Sequence, residues 1–340
     1  MIRRSLYEAA LFETIRRGST QISTDVLAAF EAAIARESRP AAKEGLKRTY
    51  DSLLLSKKLD NPACPDTGWP VFYFRVGNEC ELEGGIMGLE DAMRSAVRRA
   101  SREGYIRKTM KHPLTGHDPG DNIGENIPYP TWKFVPGDAL EMTYVAKGGG
   151  SECFGGTRHR VVAFADGVKG IEKTVIDWFV EATRSGGICP PNILGVGIGG
   201  TANVSAALAK EAACLRPVGS HHPDPQFRKI EEDLYGAINS LGVGIMGIGG
   251  DTSVLAVHVE YAHTHIAGIC VDMSTNCMVA RRATTKIEAD GSVRVLPYCD
   301  WFGRGGTDIG TAAGTAPDAA TDAATAAVPD KAAACAGKEA

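Results

Sequence analysis

Between Ser185 and Ala209 the chain reads SGGICPPNILGVGIGGTANVSAALA, 25 residues without a charge, and this stretch limits the fold more than any other. A run of that length could span a bilayer, but six glycines, two prolines and two asparagines would break a lipid-exposed helix and leave its backbone unpaired. It reads instead as a buried strand, a tight turn and the start of a helix, with Cys189 just ahead of the strand.

A chain of 340 residues, 44% hydrophobic and 23% charged, can bury one large core or two small ones. Its net charge of −4 gives no electrostatic footprint for nucleic acid or an anionic membrane. Arg98, Arg99 and Arg102 are interleaved with acids and read as a solvated helix face. The opening MIRRSLYEAALFETIRRG has paired arginines, yet Glu8 and Glu13 interrupt any signal-peptide core, so a cytoplasmic location is expected. Nine cysteines, an odd number, then point to reduced thiols, some of them available as metal ligands.

Apolar spacing predicts two helices over residues 5–35, broken at Gly18-Ser19, and further helices over 41–57, 88–103, 171–184, 202–214 and 226–241. Strands are predicted at VFYFRV, 141–145, 193–197, VLAVHVEYA, IAGICVDMS, VARRATTKI and VRVLPY. The fold class is α+β: a mixed sheet with packed helices, behind an N-terminal helical segment. The segment 112–130, rich in Gly, Pro, Asn and Asp, reads as a long ordered loop and hence a functional candidate. One domain is expected over residues 1–310. The Ala, Thr and Pro-rich tail 311–340 is expected to be disordered, and Cys335 within it is a poor candidate ligand.

Gly195, Gly197 and Gly200 satisfy the G-x-G-x-x-G pattern between a strand and a helix, the context of a dinucleotide site. Against that reading, Gly242, Gly244 and Gly247 fit equally well, and no clean acid follows about twenty residues on for a ribose. Cys64, Cys189 and Cys277 share a different property: all lie in Pro, Gly or Asn-rich loops, where backbone N–H groups can bond cluster sulfurs. Their separations of 125 and 88 residues carry no metal signature, and buried small hydrophobes remain the simpler reading of spacing alone.

The segments CPDTG, KGGGSE, CPPNILGVGIGGTA, LRPVGSHHPDP, GIGGDTSV, VEYAHTH and STNCMVARR, in this order over residues 5–300, resemble the α-subunit or N-terminal half of iron-sulfur-dependent hydro-lyases, the class I fumarases and L-tartrate dehydratase. The resemblance implies a 4Fe-4S cluster held by Cys64, Cys189 and Cys277, with one iron left open as a Lewis acid for a small dicarboxylate. Fumarate/malate is favoured, with L-tartrate or another hydroxy-dicarboxylate as the alternative. Asp66 is placed as an acid/base or orienting group, with a plain turn residue as its other reading. Lys147 with Gly148, Gly149 and Gly150 would form an anion nest for a substrate carboxylate, and His265 matches a histidine near the substrate. Arg281 and Arg282 could balance an anionic cluster or the substrate, or simply form salt bridges. Pro65 stands where family members commonly carry glutamine, so one side-chain donor to substrate is absent. Because the similarity ends near residue 300, a separate β-subunit is expected to close the site, in an α2β2 or similar oligomer. The helix starting at Ala202 is expected to aim its positive end at the anionic site. A nicotinamide-dependent oxidoreductase using the Gly195 turn, and a cluster-bearing or zinc-stabilised assembly subunit, are the competing readings.

Overall fold

The structure is a computed structural model that describes residues 1–304; the predicted tail 311–340 and Cys335 lie outside the described residues. Helices α1 (Arg4–Thr20) and α2 (Thr24–Arg36) part at residues 21–23, with Gly18-Ser19 retained inside α1. Gly18 serves contact and not a break, since a Cβ there would stand 2.6 Å from the Tyr144 ring. α3 (Pro40–Leu59) takes proline in its first turn, where the missing N–H has no intrahelical partner to lose. Its end is set by Asp60 in the left-handed region (φ 51°).

The chain continues through β1 (Trp69–Gly77), α4 (Gly85–Arg102), β2 (Pro130–Val135), β3 (Leu140–Lys147), the short α5 (Gly149–Cys153), β4 (Thr157–Val162) and α6 (Gly167–Arg184). Next come β5 (Asn192–Ile198), α7 (Ala202–Leu215), α8 (Pro225–Ser240), β6 (Val254–Tyr261), β7 (Ile269–Asn276), β8 (Arg281–Ile287) and β9 (Val293–Leu296). The α+β class is as the pattern predicts, but the strands form two mixed sheets, ordered β2-β1-β3-β8-β9 and β4-β7-β5-β6. β2 and β4 are the two strands the sequence pattern missed. Both are edge strands with largely half-exposed or exposed residues, so neither shows a clean apolar face.

Alternation along β1 assigns its faces. Phe72, Phe74 and Val76 pack with Leu11, Phe12 and Ile15 of α1 and Leu89, Met93 and Val97 of α4. Tyr73 points the other way, to Val145, Trp301 and the last turn of α7 at Ala213, Cys214 and Leu215. The second sheet buries Leu194, Val196, Val257 and Met273 against α6 and α8. α7 lies along β5 and β7, on backbone contact: a Cβ on Gly195 would meet the Ala209 carbonyl at 2.0 Å, and one on Gly197 the Ser205 carbonyl at 2.0 Å. The glycines of the G-x-G pattern are therefore strand residues that let a helix lie directly on the sheet.

One expectation is corrected by this geometry. α7 starts beyond the carboxyl end of β5, whereas Cys189 precedes the amino end, so the positive end of the α7 dipole is at the far end of the sheet from the cysteine. Among the described residues, no helix is long and apolar enough to cross a membrane.

Candidate active site

β5 and β7 run antiparallel with Ile193 opposite Asn276, so the residues just before β5 and just after β7 meet at one end of the sheet. That register brings Cys189 to Cys277: the Met278 N–H donates to the Cys189 carbonyl at 3.4 Å, and Asn192 Nδ2 donates to the same oxygen at 3.2 Å. Cys64 arrives from the loop after α3, which is tied down by the Ala63 N–H on the Ser19 carbonyl at 3.0 Å. All three thiols are half-buried and pack against one apolar cluster that includes Ile193, Ile245, Met278 and Val279.

Their electrostatics follow from that meeting. A hydrogen bond from Cys277 pulls the Cys189 thiol down to about 7, against the opposing effects of burial and of the Asp66 charge. Donating that bond, and being buried, pushes Cys277 well above the ordinary thiol value, although its sulfur also accepts the Val279 N–H. Soft sulfur donors with a backbone N–H on one of them suit an iron-sulfur cluster. Among the described residues, no three His, Cys, Asp or Glu side chains close on one point as ligands of a single ion would.

Asp66 sits beside these thiols, and both of its oxygens are engaged by backbone. Oδ1 accepts the Gly68 N–H at 3.0 Å in an Asx-type turn, and Oδ2 accepts the Gly149 N–H at 2.7 Å. The glycine run is thus an anion-binding turn whose Gly149 donor holds this chain's own carboxylate. Two close approaches lock the loops: a Cβ on Gly68 would lie 2.2 Å from the Lys147 carbonyl, and one on Gly150 1.9 Å from the Gly187 carbonyl. Cys64, Asp66, Gly148, Gly149, Gly150 and Cys189 are brought together by these contacts.

Lys147 is not offered to solvent. It is fully buried, its Nζ donates to the carbonyls of Ser151 (3.1 Å) and Thr275 (2.7 Å), and Glu152 lies 3.7 Å away. Burial depresses its pKa, with Glu152 opposing. Its ammonium fastens α5 to β7, away from the role of a free substrate cation.

His265 is likewise not brought to the thiols within one chain. It is exposed in the link between β6 and β7, and the Ala262 N–H on the Ile198 carbonyl fixes that link at the carboxyl end of β5. The seven residues of β5 span about 20 Å, which separates this histidine from the cysteine end. Sequence neighbours on a strand pair need not be spatial neighbours when a whole strand lies between them. Glu260, near the end of β6, is buried in a network with Arg216, His222 and Arg304.

Three arginines acquire meaning only here. Arg107 is exposed and hangs from the Asp66 turn through its own N–H on Thr67 Oγ1 at 2.9 Å. Asn122, buried in the 112–130 loop, holds the same residue's carbonyl at 3.1 Å. The sequence signal was modest, a cluster of Arg107, Lys108 and Lys111 before the loop. Arg282 resolves to a salt bridge, bonding Asp25 and the carbonyls of Cys214 and Arg216, while the adjacent Arg281 is buried with Nε and Nη1 unpartnered.

A family profile described as Fumarate hydratase (Fumerase) matches residues 8–286. The chain belongs to the fumarate hydratase family. As a Fumerase-family protein it is an enzyme of the hydro-lyase class. It is 33% identical over 283 residues to a Methanocaldococcus jannaschii protein named for the L(+)-tartrate dehydratase subunit alpha, covering 83% of this chain and 97% of that one. It is 33% identical over 273 residues to the L(+)-tartrate dehydratase subunit alpha of Escherichia coli UTI89, covering 80% and 88% respectively, and 32% identical to that of strain K12 over the same shares.

Proposed function

We propose that this chain is the cluster-bearing α-subunit of a two-subunit hydro-lyase that adds and removes water across the C=C bond of a small dicarboxylate. The observation that carries the reading is the convergence of the Cys64, Cys189 and Cys277 loops on one apolar cluster beside Asp66. In this reading the three thiolates hold a 4Fe-4S cluster. When bound, it supplies a Lewis acid for the substrate hydroxyl and carboxylate.

The chain's own residues then divide the remaining work. Asp66 is held in one orientation by the Gly68 and Gly149 N–H groups, leaving each oxygen a second lone pair to take or return the proton at carbon. Arg107, exposed beside the same turn, attracts a carboxylate. Buried Lys147 fixes α5, and with it the position of Gly149 on Asp66. No step is assigned to His265. The relatives' subunit names support a β-subunit that closes the site, with α2β2 as the simplest assembly. Reduced thiols at all eight described cysteines suit a cytoplasmic enzyme.

Fumarate/malate is the first substrate reading, on the GGGSE motif, and the names of the relatives favour L-tartrate as the second. Anaerobic reconstitution tests the core of the proposal: about four irons and broad absorption near 400 nm are expected per chain, with both lost in Cys189→Ser. An unchanged spectrum in that variant sinks it. Co-expression with the β-subunit, assayed on malate, fumarate and L-tartrate, then separates the substrates.

A further inference from the structure

Arg281 is the largest fully buried side chain among the described residues, 1% exposed, and neither its Nε nor its Nη1 has a hydrogen-bond partner. No carboxylate forms an ion pair with it among the described residues, in contrast to Arg282, Arg216 and Arg75. A guanidinium cannot shed its proton to escape such a place, so the cost of burying it is borne in full unless an anion arrives.

The strand register shows where that anion would stand. Ala146 lies opposite Arg281 and Tyr144 opposite Ala283, which puts Arg281, Ala283 and Tyr144 on one sheet face. α1 covers that face, with Thr14 on Thr285 and Gly18 against the Tyr144 ring and the Ala283 nitrogen. Continuing along α1, Ser19 comes beside Tyr144, and both hydroxyls are buried without a well-formed hydrogen bond. The Ser19 carbonyl in turn holds the Ala63 N–H, immediately before Cys64. Arg281 also follows Cys277 by only four residues, at the start of β8. The cation, to which the described residues offer no anion, and the two hydroxyls that face each other thus stand on the side of Cys277, with Ser19 tied through its carbonyl to the residue before Cys64.

We propose that Arg281, with the hydroxyls of Ser19 and Tyr144, forms a built-in counter-charge pocket for the anion held at Cys64, Cys189 and Cys277. The assignment rests on the cluster reading above and adds a positioning residue to it. Three thiolates and their cluster carry net negative charge, and a fixed cation behind them offsets the cost of burying that charge. Each half stabilises the other only when both are present. A cation at this place also favours the more reduced, more negative state of the cluster.

The test compares the full wild-type chain with Arg281→Met and Arg281→Lys, metal-free and after anaerobic reconstitution with iron and sulfide. Metal-free, Arg281→Met is expected to melt at or above the wild-type temperature, because an unpaired charge has been removed. Reconstituted, it is expected to release its cluster at least ten-fold faster and to show a lower reduction potential, while Arg281→Lys stays near wild type in both. Equal cluster retention and potential in the Met variant refute the Arg281 assignment alone. So does a Met variant whose metal-free form is destabilised as much as its loaded form, which would mark a purely structural arginine. A wild-type chain that takes up no iron and sulfide refutes the cluster reading and this pocket with it.

Discussion

Replacing Gly150 with alanine tests the loop geometry with one methyl group. Gly150 has no positive φ, so alanine brings no backbone strain, and the whole effect is steric. The new Cβ would sit 1.9 Å from the Gly187 carbonyl oxygen and 3.1 Å from its carbon, well inside van der Waals contact. Both partners are backbone, so the loops must part by more than an ångström; overpacking of this kind costs about 1–3 kcal/mol. Parting them strains the Gly149 N–H bond to Asp66 at 2.7 Å and displaces Cys189, two residues beyond Gly187. At roughly 2 °C per kcal/mol for a chain of this size, the metal-free protein should melt about 2–6 °C lower. It should also take up iron and sulfide incompletely. Gly149→Ala is the control, because its Cβ meets Asp66 Oδ2 at 3.5 Å and Trp69 at 3.8 Å, ordinary contacts. Scanning calorimetry with iron quantification reads both variants. If Gly150→Ala melts and loads like wild type, the loops are not locked as described.

Two other perturbations follow from the same structure. Burial holds His258 well below the ordinary histidine value, and burial also lowers His222, against Glu260 and with Arg304 and Arg216 assisting. Both are neutral above about pH 6.5; below it the unfolded chain binds protons that the folded chain refuses, so stability falls by up to about 1.4 kcal/mol per pH unit per histidine. Urea midpoints between pH 7.5 and 5.5 should show that decline, with a shallower slope in His258→Asn; an identical slope would rule the histidine out. Asp66→Asn cannot accept both the Gly68 and the Gly149 N–H through oxygen, so the metal-free chain should lose about 1–3 kcal/mol. A carboxylate with chemistry as its only role would leave that urea midpoint unmoved.

How far the sequence could be read varied with the kind of signal. Long amphipathic helices such as α6 and α8, and buried strands such as β5 and β7, were legible because burial on a face leaves a period in the sequence. The edge strands β2 and β4 left none. The three loop cysteines could be singled out by their Pro, Gly and Asn neighbours, but their meeting depends on strand register, which pairs Ile193 with Asn276 across 83 residues. His265 shows the converse: twelve residues from Cys277 in sequence, it is parted from it by the length of β7.

By itself the sequence determined the α+β class, the buried strand after Cys189, the choice of candidate thiols and the family to which they point. All of these depend on local composition or on short motifs that remain in the chain whatever its fold. Tertiary structure alone decided that two sheets form, that Gly195 and Gly197 are seats for α7, and that Lys147 is a buried fastener. It also decided which of two adjacent arginines is paired. Arg281 and Arg282 are chemically identical and point to opposite faces of β8, so only what each face meets tells them apart: Asp25 on one side and, among the described residues, no carboxylate on the other.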